Sequence, residues 1–189
     1  MNEQLWAPWR IGYIIGGKTD KKPDSNANVV WEAGADKGCF LCRAVGDRAK
    51  DADRDNLVVA RSRLAIAVLN RYPYNNGHLL VAPRRHVAKL QDLSSDEYLT
   101  HMKFISHACE IIAKTMNAEG FNVGLNLGRI AGAGVPGHLH WHVLPRWSGD
   151  TNFMPTLSGT NVIPQALDAA WELLSREFSQ LGQTLDGSE

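Results

Sequence analysis

Short apolar runs separated by polar turn segments occupy the middle of the chain. NLVVA (56–60) and RLAIAVLN (63–70) are apolar runs with β-branched residues, and the turn-like segment YPYNNG (72–77) precedes HLLVAP (78–83). Apolar runs of about four to eight residues, bounded by Pro, Asn and Gly, are typical of β-strands. The pattern therefore predicts three consecutive strands in an antiparallel meander.

A helical period follows the meander. Ser94 precedes Glu97 by three residues, which is the spacing of a capping box, and Gly120 stands where the periodic segment ends. We expect a helix of about six turns between them, with Cys109 in the core. The predicted apolar stripe comprises Tyr98, Met102, Ile105, Cys109, Ile112 and Met116, and the predicted surface residues include His101 and His107.

A second helix is predicted near the C-terminus. It begins at Pro164, and its apolar residues recur at helical spacing until Gly182. The apolar stripe comprises Leu167, Trp171, Leu174, Phe178 and Leu181.

Two further strands are predicted between these helices. FNVGLNLG (121–128) and HLHWHVLP (138–145) both alternate, and the Gly-rich segment RIAGAGVPG (129–137) joins them as a loop. The fold class is therefore α+β: an antiparallel sheet of about five strands with the long helix packed on it, and a C-terminal helix. In the last strand, Leu139, Trp141 and Val143 are expected in the core, and the alternate positions carry His138, His140 and His142.

Composition and charge narrow the possible function classes. The chain has 189 residues, and 20 Lys plus Arg balance 20 Asp plus Glu, so no excess charge suggests binding to nucleic acid or to a membrane surface. No stretch is apolar enough to span a bilayer, and the N-terminal segment lacks the pattern of a secretion signal. A chain of 189 residues is long enough for one sizeable core, so we expect one domain. The three cysteines do not suggest a disulfide framework, so we expect a reducing cytoplasm.

The histidine face is the strongest chemical signal. An imidazole with a pKa near about 6.5 can act as nucleophile, acid, base or metal ligand at neutral pH. Two simpler explanations are a decorated surface strand and a purely metal-binding strand. The adjoining Gly-rich loop favours a third, because its backbone can approach a ligand closely and direct N–H groups toward a phosphate.

The segment HLHWHVL (138–144) matches the histidine-triad pattern of alternating His and apolar residues, and the chain resembles the nucleotide hydrolases and transferases of that family. The segments VLNRYPYNNGHLLVAPRRH (68–86) and FNVGLNLG are similar to family strands as well. The resemblance runs from about Asn56 to Trp147. Outside it, LWAPWR (5–10) and RWSGDTNFMP (146–155) are similar to the branch that contains bacterial diadenosine tetraphosphate phosphorylases and related hydrolases.

The resemblance implies roles for the histidines. His140, the middle one, is the expected nucleophile, which attacks the α-phosphorus and forms a nucleotidyl-histidine intermediate. His142 is expected to help the leaving group depart, and the carbonyl of His138 to accept the proton on the far nitrogen of His140. His78 matches a fourth histidine that supports the triad, although a simple turn-flanking histidine would have the same pattern.

The resemblance also implies nucleotide contacts. Asn126 matches an amide that touches the α-phosphate, and Gly134 and Val135 stand where backbone N–H groups receive its oxygens. Asn70 matches the ribose contact, or alternatively only begins a turn. The loop departs from many relatives, because it carries an added Gly137 and lacks Gln and Ser side chains as donors. No catalytic metal is required by this scheme.

A structural zinc site is the further expectation from the resemblance. Cys39 and Cys42 form half of a tetrahedral site by spacing, and the resemblance adds His86 and His138. Two reduced thiols packed as small apolar groups are the alternative. The expected division is an N-terminal arm (1–38), a core (39–147) and a C-terminal extension (148–189), in a homodimer whose sheets join.

Three functions remain open on this basis. The favoured function is cleavage of dinucleoside polyphosphates, such as diadenosine tetra- or triphosphate, with the intermediate resolved by phosphate or water. An alternative within the family is hydrolysis of nucleoside phosphoramidates. A nucleotide- or zinc-binding module without turnover is the alternative from another class, and the intact triad argues against it.

Overall fold

A computed structural model describes residues 27–150, 163 and 165–179 of the chain. Its sheet has five antiparallel strands in the order β1-β2-β3-β5-β4, so the predicted meander and the α+β class are confirmed. The strands are β1 (Val58–Arg61), β2 (Ala65–Leu69), β3 (Leu79–Pro83), β4 (Gly120–Leu125) and β5 (Trp141–Arg146). The helices are α1 (Phe40–Gly46), α2 (Ala52–Asp55), α3 (Ser95–Met116) and α4 (Leu167–Ser179).

The predicted N-terminus of α3 is confirmed. Ser94 accepts the backbone N–H of Glu97, and the Glu97 carboxylate accepts the backbone N–H of Ser94, which completes a capping box. The prediction that Gly120 closes the helix is wrong, because Asn117 ends it in a left-handed conformation (φ 52°) and Gly120 begins β4. An αL residue at this position stops the helix sharply, and Asn tolerates it better than most residues.

The buried face of α3 differs from the predicted stripe. Tyr98 and Met102 are exposed, whereas Glu97 and His101 on the adjacent face are buried, so the expected surface position of His101 is wrong. The helix is rotated this way because Glu97 binds Arg85 through two hydrogen bonds of 2.8 and 2.7 Å, and because His101 packs on Trp141. The predicted members Ile105 and Ile112 are buried, Cys109 and Met116 pack against the core, and His107 is half-buried.

The C-terminal helix packs beside α3. Ala170, Leu174 and Phe178 are buried, and the Phe178 ring meets Phe104 of α3 at a centroid distance of 6.0 Å. Trp171 is half-buried and donates a 2.8 Å hydrogen bond to the carbonyl of Val58. The helix begins at Leu167, and the predicted boundary residues Pro164, Leu181 and Gly182 lie outside the described residues.

The strand that carries the histidines is shorter than predicted. It begins at Trp141, so His138, Leu139 and His140 precede it, yet Leu139, Trp141 and Val143 all enter the core as expected. No helix within the described ranges is long and apolar enough to cross a membrane. The division into arm, core and extension stays a prediction.

Candidate functional site

Three of the predicted histidines gather where β5 begins, beside β3. The ring centroids of His140 and His142 are 5.2 Å apart, and those of His142 and His78 are 5.1 Å apart. His78 is fully buried, whereas His140 retains 7% exposure and His142 is half-buried. The sheet register places His142 opposite Leu80 of β3, near the start of that strand, which explains why His78 reaches it.

The backbone fixes the proton of His140. Its Nδ1 lies 2.8 Å from the carbonyl oxygen of His138. A carbonyl can only accept, so Nδ1 carries the hydrogen and Nε2 of the neutral ring keeps its lone pair. The contact expected between these two residues is therefore present, and it leaves a nucleophilic nitrogen available.

A directed chain of hydrogen bonds fixes His78 and His142. The backbone N–H of Tyr74 donates to Nδ1 of His78 at 3.2 Å, so the hydrogen of neutral His78 is on Nε2. That Nε2 donates to Nδ1 of His142 at 2.9 Å, which puts the His142 hydrogen on Nε2. The Asn126 amide nitrogen lies 3.4 Å from this Nε2. An amide NH2 also donates and cannot accept, so His142 and Asn126 present two donors side by side, both available to an acceptor such as a phosphate oxygen.

Burial keeps these two rings neutral. It lowers the pKa of His78 to about 3, with the neighbouring His142 and His140 as further causes. Burial also lowers the pKa of His142, and His140 adds to the effect. Because both rings are uncharged at neutral pH, the hydrogen-bond directions above hold there.

The Gly-rich loop presents free backbone donors near these rings. Gly128 and Gly132 have φ of 85° and 90°, a conformation that favours glycine. Gly134 is exposed and Val135 is half-buried, and within the described part of the chain neither backbone N–H has an acceptor. Val135 instead uses its carbonyl, which accepts the N–H of His138 at 3.2 Å. Two adjacent unpaired N–H groups suit an anionic ligand.

Asn70 is oriented by its own turn. Its Oδ1 accepts the N–H of Tyr72 at 3.0 Å, and its Nδ2 lies 3.3 Å from Nδ1 of His78. A cavity of about 410 Å³ opens beside it, between the 70–78 loop and the start of α4. The residues that line it are Leu69, Asn70, Arg71, Pro73, Asn76, Gly77, His78, Ile163, Gln165, Ala166, Leu167 and Ala170.

The 70–78 loop is held by residues that the sequence interpretation missed. Asn75 donates to the carbonyl of Pro145 at 3.2 Å and to the Asp150 carboxylate at 2.9 Å. Gly77 has a φ of 66°, and a Cβ there would lie 2.9 Å from the Met116 sulfur. Asp150 lies in a segment, 146–155, whose sequence carries only the family resemblance, and nothing in its spacing indicates this long-range contact.

The four predicted metal ligands form a second cluster. The ligand atoms of Cys39, Cys42, His86 and His138 all lie within 4.8 Å of one another. Nδ1 of His138 is 3.3 Å from Sγ of Cys39 and 3.5 Å from Sγ of Cys42, and Nδ1 of His86 is 3.2 Å from Sγ of Cys42. A tetrahedral zinc ion separates its sulfur and nitrogen ligands by about 3.6 Å, so this donor set fits zinc.

The surroundings of this cluster support its geometry. Nε2 of His138 donates to the carbonyl of Pro83 at 2.8 Å, so Nδ1 turns a lone pair to the thiols. A Cβ on Gly137 would lie 3.1 Å from Nε2 of His86, so the added glycine gives that ring its space. Burial raises the pKa of the Cys42 thiol to about 12, and Cys39 contributes to the rise.

Comparisons with known proteins give one consistent result. A family model described as "HIT domain" matches residues 52–149. The chain is 39% identical to the AP-4-A phosphorylase of Mycobacterium tuberculosis, over 94% of this chain and 85% of that protein. It is 31% identical to the adenosine 5'-monophosphoramidase hnt1 of Schizosaccharomyces pombe, over 74% of this chain and 98% of that protein.

One solved structure is similar in fold. A zinc-bound histidine triad family protein from Mycobacterium smegmatis aligns with a TM-score of 0.58 at 24% identity, over 75% of this chain and 93% of that one. At this identity the likeness supports the arrangement of strands and helices.

Proposed function

The chain belongs to the HIT domain family, and from that premise we propose that it is an enzyme that cleaves dinucleoside polyphosphates through His140. The observation that carries the proposal is the fixed proton on Nδ1 of His140, which leaves Nε2 free beside the N–H of His142. The name of the M. tuberculosis relative, AP-4-A phosphorylase, supports a diadenosine tetraphosphate as the favoured substrate. Diadenosine triphosphate is the second substrate to test.

The first chemical step forms a bond from Nε2 of His140 to the α-phosphorus. The bond between that phosphorus and its bridging oxygen breaks, and the leaving nucleotide takes the electron pair. His142 directs its Nε2 hydrogen toward the phosphate oxygens and stabilises the developing charge. The carbonyl of His138 stabilises the positive charge that His140 acquires, through the hydrogen on Nδ1.

The second step releases the nucleotide from His140. Attack by inorganic phosphate on the same phosphorus breaks the nitrogen–phosphorus bond and gives a nucleoside diphosphate. Attack by water gives a nucleoside monophosphate. Nε2 recovers its lone pair in both cases, so His140 is ready for another cycle.

We assign the nucleotide contacts to residues around these rings. The backbone N–H groups of Gly134 and Val135 receive the α-phosphate oxygens, and Asn126 reaches the same phosphate. Asn70 binds the ribose of the transferred nucleotide, because it lies at the edge of the 410 Å³ cavity next to His78. That cavity receives the transferred nucleoside.

We assign structural zinc to Cys39, Cys42, His86 and His138. Four protein donors close a tetrahedral site, whereas catalytic zinc keeps one position for water or substrate. When bound, zinc supplies a cross-link between α1 and the segment before β5. The cross-link fixes His138, whose carbonyl holds His140.

The assembly is proposed to be a cytoplasmic homodimer. β4 is an edge strand of the sheet, and Val123 within it and Leu127 just beyond it are exposed apolar residues. A second copy that pairs with this edge would cover both and would continue the sheet. Light scattering behind size-exclusion chromatography should give twice the monomer mass, and Val123→Lys should reduce that fraction.

A phosphoramidate substrate is the second candidate. The relative named adenosine 5'-monophosphoramidase supports it, and the same His140 chemistry would break a phosphorus–nitrogen bond. A nucleotide- or zinc-binding module without turnover is the alternative from another class. The unused Nε2 of His140 favours an enzyme over that alternative.

The deciding experiment incubates the protein with diadenosine tetraphosphate, with and without inorganic phosphate, beside a His140→Ala control. ADP and ATP formed only with phosphate identify a phosphorylase, and AMP and ATP without phosphate identify a hydrolase. Adenosine 5'-phosphoramidate is tested in parallel. No His140-dependent product from dinucleotides, with turnover of the phosphoramidate, would favour the second candidate, and no turnover of either would favour a binding module.

A further inference from the structure

An exposed aromatic ring lies at the end of the histidine cluster. The Tyr74 side chain is 59% exposed, although one part of its ring contacts His78 at a centroid distance of 5.0 Å. It is also nearly parallel to His142, at 6.2 Å and 25°. The ring contacts therefore form a series that leads from His140 through His142 and His78 to Tyr74.

The backbone beneath this ring is held firmly. The N–H of Tyr74 donates to buried His78, and the next residue, Asn75, donates to Pro145 and to the Asp150 carboxylate. The Asp150 carboxylate in turn accepts the N–H of Trp147 at 3.3 Å, and its side chain is only 7% exposed. The exposed ring is thus carried on a loop that buried polar contacts hold in place.

We propose that Tyr74 is the stacking platform for the base of the leaving nucleotide. This inference rests on the proposed function and names the part of the substrate that this ring recognises. Every nucleobase has a π-face, and aromatic side chains bind bases through it. A ring that is fixed in position and exposed binds without first losing much conformational freedom.

The position of Tyr74 favours the leaving half of the substrate. The transferred nucleoside is assigned to the cavity beside Asn70, and Tyr74 is not among the described residues that line that cavity. The ring instead stacks toward His142, the residue proposed to face the departing phosphate oxygens. If the polyphosphate of the leaving nucleotide extends from His140 along His142, the nucleoside at its far end lies toward Tyr74.

The test compares two substrates that share the transferred nucleotide. Diadenosine tetraphosphate has a second adenosine, whereas adenosine 5'-tetraphosphate has the same number of phosphates and no second base. KM and kcat are measured for both with wild type, Tyr74→Ala, Tyr74→Phe and Tyr72→Ala. Tyr72 is the matched control, because it is a tyrosine of the same loop with a similar exposure of 51%.

We expect Tyr74→Ala to raise KM for diadenosine tetraphosphate by about 5- to 150-fold, the range for loss of one stacked base. KM and kcat for adenosine 5'-tetraphosphate should stay within about twofold of wild type, which also shows that the variant is folded. Tyr74→Phe and Tyr72→Ala should behave like wild type with both substrates.

Two results would overturn the inference. An equal loss on both substrates would mean that Tyr74 contacts the transferred nucleotide or only supports the histidines. Unchanged constants for the dinucleotide in Tyr74→Ala would mean that the ring binds no base. If wild type cleaves neither substrate, the proposed function itself fails, and that outcome is distinct from both.

Discussion

The proposed catalytic cluster (His78, His140 and His142) and the cysteine cluster (Cys39, Cys42, His86 and His138) use the imidazole group in opposite orientations. In His140, Nδ1 donates to a backbone carbonyl and Nε2 keeps its lone pair. In His138, Nε2 donates to a backbone carbonyl and Nδ1 keeps its lone pair. Among residues 27–150 and 165–179, no hydrogen-bond partner meets the free nitrogen of His140, whereas the free nitrogen of His138 lies 3.3 and 3.5 Å from two thiols. Which ring nitrogen donates to a backbone carbonyl decides which nitrogen keeps its lone pair, and this difference separates the proposed nucleophile from the proposed metal ligand.

The largest expected effect comes from removing the nucleophile alone. His140→Ala should lower kcat/KM by at least about 10,000-fold, because it removes the group proposed to form the covalent intermediate. Its metal content should match wild type, since all four proposed ligands remain. The half-buried His107, changed to Ala, is the control and should keep full activity. Metal loss in His140→Ala would mean that the two clusters are not separable.

Removing one proposed zinc ligand should affect the cysteine cluster. Cys42→Ala should abolish bound zinc, measured by elemental analysis, and should lower the unfolding free energy. The loss is about 4 kcal/mol where free zinc stands a thousandfold above its Kd. Cys109→Ala is the matched control, because this thiol packs against the core outside the cluster. Equal metal content in the two variants would contradict the assignment of Cys42.

The pH dependence of stability should come partly from His78. Its pKa is lowered to about 3 in the folded protein, against about 6.5 unfolded, so the unfolded state binds protons first. The contribution is present above pH 6.5 and is lost as the pH falls toward 3, at up to about 1.4 kcal/mol per pH unit. Urea titrations at pH 7 and 5 should show a smaller difference in His78→Gln than in wild type. An identical difference would mean that folding does not lower the pKa of His78.

The smallest effects should come from two glycines, Gly77 next to His78 of the proposed catalytic cluster and Gly137 next to His86 of the cysteine cluster. Gly77→Ala forces a side chain into φ 66° and against Met116, so we expect a loss of about 1–2 kcal/mol and a several-fold lower kcat/KM. Gly137→Ala should weaken zinc binding, because its Cβ would crowd His86. Zinc competition assays and steady-state kinetics on both variants test whether Gly77→Ala lowers activity and Gly137→Ala weakens zinc binding. If both variants lose activity and zinc affinity to the same extent, the two clusters do not act separately.

Local patterns in the sequence predicted much of the molecule. The strands, the capping box at Ser94 and the inward-facing Trp141 follow from period and spacing, which depend on neighbours along the chain. The proximity of Cys39 to His86 and His138 came from the resemblance, since two cysteines alone supply only half a site.

Other features depend on contacts that local patterns do not encode. The buried face of α3 also depends on the ion pair of Glu97 with Arg85 and on the packing of His101 on Trp141. A stripe based on hydrophobicity therefore omits Glu97 and His101 and includes the exposed Tyr98 and Met102, although its other members do meet the core. The contact between Asn75 and Asp150 spans 75 residues. Tyr74 looks like an ordinary turn residue until the fold places His142 beside it.

The acceptor that fixes His140 is a backbone carbonyl, and this affects how the two clusters can change during evolution. Replacement of the His138 side chain would remove one of the proposed zinc ligands, yet any residue at that position supplies the same carbonyl. Relatives could therefore lose the cysteines and the His138 side chain and still hold the residue at position 140 in the same orientation. The orientation of His140 depends on the path of the backbone. The proposed metal site depends on four side chains, each of which can be lost by a separate substitution.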